Sequence, residues 1–330
     1  VEQGWEVIGF TLHMFKEGSR CCSLEDVQRA RRVCDHLGLR HYTLNVVDEV
    51  EEQVIRPFAA AYAAGRTPNP CIFCNRHFKF GELVNRARAL GCTHVATGHY
   101  VRLEHTPDGA RLRQGRDPGK DQSYFLHRLT QDQLQTCVFP LGDMLKDDVR
   151  RIAAEKQIPT SGMRETADLC FITAAGPAPL IEKYHPDARR AGPIVDDAGH
   201  ALGTHQGLHH FTIGQREGLR IAAPQRLYVR ELRPDSNTVV VGTRSDLMQS
   251  SCRVTDLYWQ LGHPPAPGTP LTVRLRYQSP GVAATLIPDD SGGGRVRFAE
   301  PQFAVTPGQA AVFYEGDAIL GGGWIEKDDA

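Results

Sequence analysis

Between residues 6 and 97 short apolar runs alternate with helix-length segments, and that alternation restricts the fold more than any other feature of the chain. Glu6-Val7-Ile8-Gly9-Phe10-Thr11-Leu12 reads as a buried strand. Ser23 is placed to cap a helix that Gly38 ends, with Glu25 and Asp26 in its first turn. Residues 41–46 and 93–97 read as further strands, and residues 49–64 and 77–90 as helices, the second capped by Asn75 and closed by Gly91. Strands and helices alternating at this length predict a parallel sheet covered on both faces. Ligands of such sheets sit beyond the carboxyl ends of the strands. Gly98-His99 and the loop after Leu12 fall at such ends, although a lone His there is as readily structural as catalytic.

The stretch Gly65-Arg66-Thr67-Pro68-Asn69-Pro70-Cys71-Ile72-Phe73-Cys74-Asn75 places a Cys-x-x-Cys pair behind a proline-rich loop. Pro68 and Pro70 hold the residues before them extended and remove two backbone donors. The expectation is a pair of thiols at a loop-to-helix junction, where exposed amides and the helix dipole favour thiolate. Alone, the motif suits half a zinc site, a redox pair or an iron–sulfur anchor. No second Cys-x-x-Cys accompanies it.

Further on, residues 101–114 alternate around Asp108-Gly109, a hairpin signal. Gly119-Lys120-Asp121-Gln122-Ser123-Tyr124-Phe125-Leu126 joins a polar head, able to meet phosphate or base edges, to an aromatic tail expected in the core. Residues 146–156 read as a helix. In Glu165-Thr166-Ala167-Asp168-Leu169-Cys170-Phe171-Ile172 a Cys precedes a strand-like apolar end, and taken alone it is an inert buried thiol. Composition shifts at Gly176-Pro177-Ala178-Pro179, giving way to short Gly-rich strands and then an all-β region. There Val273, Leu275 and Tyr277 face one way and Arg274 and Arg276 the other, a solvated face that would also suit a nucleic-acid backbone.

A chain of 330 residues is long enough for two or three domains. Its 41% hydrophobic and 23% charged content fits a globular protein, and no apolar run approaches the roughly 20 residues of a membrane span. Nine scattered cysteines predict reduced thiols in a cytosol-like compartment. With a net charge of −1, nucleic-acid binding has to use local patches.

Taken together, these motifs resemble the tRNA-specific 2-thiouridylases, end to end. The resemblance rests on Gly65-Arg66-Thr67-Pro68-Asn69-Pro70 with Cys74-Asn75, Thr97-Gly98-His99-Tyr100, Lys120-Asp121-Gln122-Ser123-Tyr124-Phe125-Leu126 and Cys170-Phe171-Ile172. It continues through His205-Gln206-Gly207, Thr212-Ile213-Gly214-Gln215-Arg216, Val305-Thr306-Pro307-Gly308-Gln309-Ala310 and Gly321-Gly322-Gly323. It implies an α/β N-terminal domain of the ATP-pyrophosphatase (adenine nucleotide alpha hydrolase-like) type with a parallel sheet, over residues 1–175. A small central domain, 176–248, and a C-terminal tRNA-binding β-barrel, 249–330, would follow.

The implied reaction is ATP-dependent 2-thiolation of the tRNA wobble uridine. The C2 oxygen is a poor leaving group, so ATP with Mg2+ first adenylates it, and sulfur then displaces AMP. By resemblance Cys170 carries the sulfur as a persulfide, and Cys74 attacks it to form a resetting disulfide. Asn69, Pro70 and Cys71 would border the target base, and Leu12 and Gly98 would line the adenosine pocket. His99, Lys120, Asp121, Gln122, Arg276, Tyr277 and Gln309 match tRNA-contacting positions. The implied partners are tRNAs with Lys, Glu or Gln acceptors and a sulfur donor such as a cysteine desulfurase or sulfur-relay protein.

Position 71 separates two mechanisms, since some members carry Asp there. Cys71, Cys74 and Cys170 could instead hold a four-iron iron–sulfur cluster with one iron open for hydrosulfide. The family also opens with a strand and a Ser-Gly-Gly-Val-Asp-Ser-Ser phosphate loop, about 25–30 residues with its helix. That loop is not found in this sequence. The expectation is therefore a lost N-terminal piece, a sheet lacking a central strand and poor adenylation. A non-catalytic tRNA-binding protein is the alternative, and a zinc-stabilised module a third. With no transit peptide, the expected location is a bacterial cytosol.

Overall fold

The computed structural model describes residues 1–16, 23–162, 169–266 and 269–327. Cys21, Cys22 and Glu165-Thr166-Ala167-Asp168 lie outside them. The chain begins with β1 (Ile8–His13), α1 (Leu24–His36) and β2 (Arg40–Asn45). Ser23 caps α1 as the sequence predicts, in a reciprocal capping box with Asp26. Next come α2 (Val47–Val50), wide π turns over Glu51–Ile55 and α3 (Arg56–Ala63).

The following helix corrects the sequence reading. It starts at Pro70, not after Asn75, running through α4 (Pro70–Cys74), π turns over Asn75–Glu82 and α5 (Leu83–Ala89). Pro70 fits a first helical position because that N–H has no helical partner to lose and the ring presets φ. Asn75 is a buried interior residue, not a cap.

Beyond it lie β3 (Val95–Ala96), the hairpin β4 (Val101–Thr106) and β5 (Gly109–Gln114), α6 (Gln131–Leu134), β6 (Cys137–Val138) and α7 (Lys146–Glu155). β1 pairs with β2 and β3 with β6, both in parallel. Among the described residues the two parallel pairs are not hydrogen-bonded to each other. Tyr124 and Leu126 are fully buried, as expected of the aromatic tail.

After α8 (Ala178–Tyr184), a four-stranded sheet is ordered β8 (Ala201–His205), β7 (Gly192–Val195), β10 (Thr238–Gly242), β9 (Tyr228–Arg233). Ile194, Val229, Val239 and Val241 form its core with Leu208 and Phe211. The last six strands are β11 (Met248–Trp259), β12 (Leu271–Arg274), β13 (Val282–Pro288), β14 (Gly294–Phe303), β15 (Ala310–Glu315) and β16 (Ala318–Glu326). Antiparallel pairing carries β11 through β14, β13, β12 and β15 to β16, which pairs with β11 and closes a six-stranded barrel. Closure leaves no strand edge unpaired. The barrel core includes Val254, Val273, Val296 and Phe313. β12 ends at Arg274, so Arg276 and Tyr277 lie in the turn after it and not on the predicted strand.

By contacts the chain forms two compact units. One comprises residues 1–55 and 71–176, the other 56–70 and 177–330. The second therefore contains α3 and the Gly65–Pro70 loop as well as the barrel. α3 packs on α8, where the Arg56 guanidinium lies 5.2 Å over the Tyr184 ring.

Candidate functional site

Cys71, Cys74 and Cys170 all belong to the first unit, and none is in a disulfide. Cys71 and Cys74 occupy the opening turn of the helix that starts at Pro70. Further down it, Phe80 is fully buried against His99, ring centroids 5.5 Å apart, and against Phe139 at 5.8 Å. Gln133 Nε2 donates to the Arg76 carbonyl at 2.7 Å. The π turns between the cysteines and α5 are a rare geometry, and one found disproportionately at functional sites. They break the helical register that the sequence periodicity assumes.

Cys170 sits in a turn, where Ile172 N–H donates to the Leu169 carbonyl, and not at the start of the expected strand. Its neighbour Phe171 packs against Phe15, 5.9 Å between centroids, just past the carboxyl end of β1. Leu12 is buried on the same end of β1. Gly98 is exposed just past β3, so both adenosine candidates lie at strand carboxyl ends. Neither Phe15 nor Phe80 was singled out from the sequence. Their only signal there is an aromatic residue close to a motif.

The expected thiolate at position 71 is corrected by its surroundings. Burial pushes the Cys71 thiol up to about 11, outweighing the pull of the Lys79 ammonium, and charge on Cys74 raises it further. One residue beyond Cys74, Asn75 Oδ1 is buried with no hydrogen-bond partner. Such an atom in a native core calls for a donor. Its Nδ2 reaches the Phe125 carbonyl at 3.5 Å.

The tRNA-contact candidates divide by environment. His99 is 9% exposed; its Nδ1 meets Thr97 Oγ1 at 2.9 Å, and burial first, then Lys79, lower its pKa to about 3. Its imidazole is thus neutral at physiological pH. Asp121, 4% exposed, accepts from the N–H groups of Gly115 and Ser123 and from Ser123 Oγ at 2.9–3.1 Å. Gln122 brackets Tyr100, accepting its N–H at 3.0 Å and donating its own to the Tyr100 carbonyl at 2.9 Å. Lys120 is half-buried. In the second unit Arg276 donates to the Ala304 carbonyl and to Thr306 Oγ1 at 3.2 Å. Gln309 Nε2 donates to the Thr67 carbonyl at 2.7 Å, tying the barrel to the loop that carries Asn69 and Pro70. Tyr277 is half-buried.

Three thiol donors in one unit suit an iron–sulfur cluster chemically, because metal displaces the proton that burial retains on Cys71. They are not set for a single ion. Among the described residues, the three-residue set whose donor atoms approach within 4.8 Å contains no cysteine.

Three domain profiles match consecutive parts of the chain. They are a tRNA methyl transferase HUP domain over residues 1–174, a tRNA methyl transferase PRC-barrel domain over 179–243 and an aminomethyltransferase beta-barrel domain over 249–325. Full-length relatives match as well. The tRNA-specific 2-thiouridylase MnmA of Rippkaea orientalis is 45% identical over 98% of this chain and 93% of its own length. That of Moorella thermoacetica is 44% identical over 99% and 94%, and that of Methylobacterium radiotolerans 42% over 99% and 89%.

Proposed function

The chain belongs to the tRNA-specific 2-thiouridylase family, and from that membership we propose that it replaces the C2 oxygen of a tRNA wobble uridine by sulfur, using ATP, with Cys74 and Cys170 as the reacting thiols. The matched domain descriptions speak of methyl transfer. Identity above 40% to thiouridylases over nearly the whole chain weighs more, because it covers the cysteine-bearing motifs as well as the fold.

ATP with Mg2+ supplies the activation, turning the C2 oxygen into an adenylate whose departure releases AMP. The position of Leu12 and Gly98 at the carboxyl ends of parallel strands β1 and β3 supports assigning them to the nucleotide. In the relay, the terminal sulfur of a Cys170 persulfide bonds to C2. The Cys74 thiolate then attacks the inner sulfur of Cys170, the S–S bond to the transferred sulfur breaks, and a Cys74–Cys170 disulfide remains. An external dithiol reduces it, with two electrons, before the next turnover. The partly exposed setting of both sulfurs supports this reading. A four-iron cluster would supply an open iron for hydrosulfide instead, and Cys71, Cys74 and Cys170 are the residues to hold it.

We assign Asn69, Pro70 and Cys71 to the target base, and Lys120, Arg276, Tyr277 and Gln309 to tRNA contacts. His99, Asp121 and Gln122 would act there through the loops they shape. Acceptors for Lys, Glu and Gln, a cysteine desulfurase or relay donor and a cytoplasmic setting complete the proposal. The three-part division at residues 175 and 248 goes with it.

The observation that carries the reading is the joint occurrence of family membership and two partly exposed thiols at Cys74 and Cys170 in one unit. The test is to incubate the chain with tRNA, ATP and Mg2+, supplying sulfur either as persulfide from a cysteine desulfurase with cysteine and a dithiol reductant or as sulfide, and to measure 2-thiouridine by nucleoside mass spectrometry. Product is expected only slowly, in keeping with poor adenylation by a chain without the Ser-Gly-Gly-Val-Asp-Ser-Ser loop, and is expected to fall further in Cys170→Ser. Retained tRNA affinity with no product would identify a non-catalytic tRNA binder. Anaerobic iron content of about four per chain, lost in Cys71→Ala, would select the cluster over the relay.

A further inference from the structure

The second unit carries a cluster that the thiolation chemistry does not use. Glu182 projects from α8, and His209 and His210 are adjacent on the single 3-10 turn Leu208–His210. Glu182 Oε1 stands 3.1 Å from His209 Nε2 and 3.8 Å from His210 Nε2. One donor atom from each residue lies within 4.8 Å of the other two. Around a tetrahedral zinc ion with bonds of about 2.0–2.1 Å, donor atoms stand roughly 3.3 Å apart. The set is close to that spacing before any adjustment.

An ordinary buried His–carboxylate hydrogen bond is the simpler explanation, and the second imidazole exceeds it. His210 is too far from Glu182 to share the bond, yet its ring lies against that of His209, centroids 4.2 Å apart. Two imidazoles therefore converge on one carboxylate oxygen. The His209 side chain is fully buried, and Nε2, its nitrogen on Glu182, is the one that faces the cluster.

The ring is also held from behind. His205 Nδ1 accepts the Gly207 N–H at 3.1 Å and its Nε2 donates to the Asn237 carbonyl at 3.1 Å, which fixes the backbone at Gly207. A Cβ at Gly207 would stand 2.4 Å from His209 Cε1 and 2.6 Å from Nδ1. Glycine there lets the backbone seat the imidazole edge, and His205 and Gly207 act as positioning residues.

We propose that Glu182, His209 and His210 form a binding site for a divalent transition-metal ion of the zinc class, with a coordination position left to solvent. Two imidazoles and one carboxylate select such ions over calcium or magnesium. Arg189, close enough to act on both Glu182 and His210, opposes any cation, so the nitrogen bonds have to carry the affinity. Glu182 and His210 keep 31% and 39% of their side chains exposed, which gives an ion its way in.

The test uses the full chain with Cys71, Cys74 and Cys170 changed to Ser, so that those thiols cannot compete. Co2+ is titrated while its visible d–d absorption is followed, and Zn2+ is then added. One Co2+ per chain is expected, without a thiolate charge-transfer band and displaced by one equivalent of Zn2+. His210→Ala and Glu182→Gln should each weaken binding at least tenfold with thermal melting unchanged. Gly207→Ala should weaken it by turning the His209 ring. No bound Co2+, a thiolate band, or equal affinity in His210→Ala and Glu182→Gln would overturn the proposal.

Discussion

Lys79 acts on two neighbours of opposite chemistry, lowering the pKa of both Cys71 and His99, and at both burial is the larger effect. With its pKa raised to about 11, Cys71 is a thiol at neutral pH. In metal-free protein its alkylation by iodoacetamide at pH 8, followed by peptide mass spectrometry, should be at least tenfold slower than that of an ordinary thiol of pKa about 8.5. The rate should still climb at pH 10, and a plateau below pH 9 would contradict the assignment. His99 gives a pH signature in stability. Above about pH 6.5 the ring is neutral folded or unfolded; between there and about 3 the unfolded chain takes up a proton that the folded one refuses. Stability therefore falls as pH drops through that window. His99→Gln should lose less stability than the parent between pH 6.5 and 4 in urea titrations. At this scale motifs singled out Cys74, Cys170 and His99 but carried no measure of how exposed each one is. Dipole and loop arguments use local neighbours, whereas Phe80, Phe139 and Lys79 set the solvation at His99 and Cys71 through packing.

Elements whose signals are local were legible. Ser23 caps α1 through Asp26, and Asp108-Gly109 turns the hairpin between β4 and β5. The start of the cysteine helix was not, because Pro70 reads as a breaker unless the first helical position is known. Nor was the end of β12, where alternation persists through Leu275 although pairing, with β15, stops at Arg274. Gly321-Gly322-Gly323 acquires a physical reason at this level. A Cβ at Gly321 would stand 2.0 Å from the Tyr258 carbonyl oxygen, and one at Gly323 2.7 Å from that of Thr255. The glycines let β16 close on β11. Gly321→Val should destabilise the protein by about 1–3 kcal/mol or more, the usual cost of overpacking, read as a lower urea midpoint. An unchanged midpoint would mean that the seam tolerates a side chain.

For the whole molecule, the sequence placed its divisions near residues 175 and 248 but took residues 56–70 as part of the first domain. Composition has no mark for a segment that leaves one packed unit for another. Three contacts hold it in the second unit: Arg56 over Tyr184, Arg66 with Glu326 at 2.7 Å and Gln309 with Thr67 at 2.7 Å. A protease site engineered at the exposed Ala174-Ala175 should therefore give two pieces that co-elute in gel filtration and part only in denaturant. Separate elution in native buffer would show that the segment's hold is weak.

This placement of residues 56–70 also restricts how such a gene can be recombined. A crossover near residue 176 would transplant the barrel without the helix and loop that it packs around. The transplanted half would face its new host with an uncovered α8 and with Gln309 deprived of the Thr67 carbonyl. Inheritance of the two halves is thus coupled, and a single crossover that carries α3 and the proline loop with the barrel has to fall ahead of residue 56.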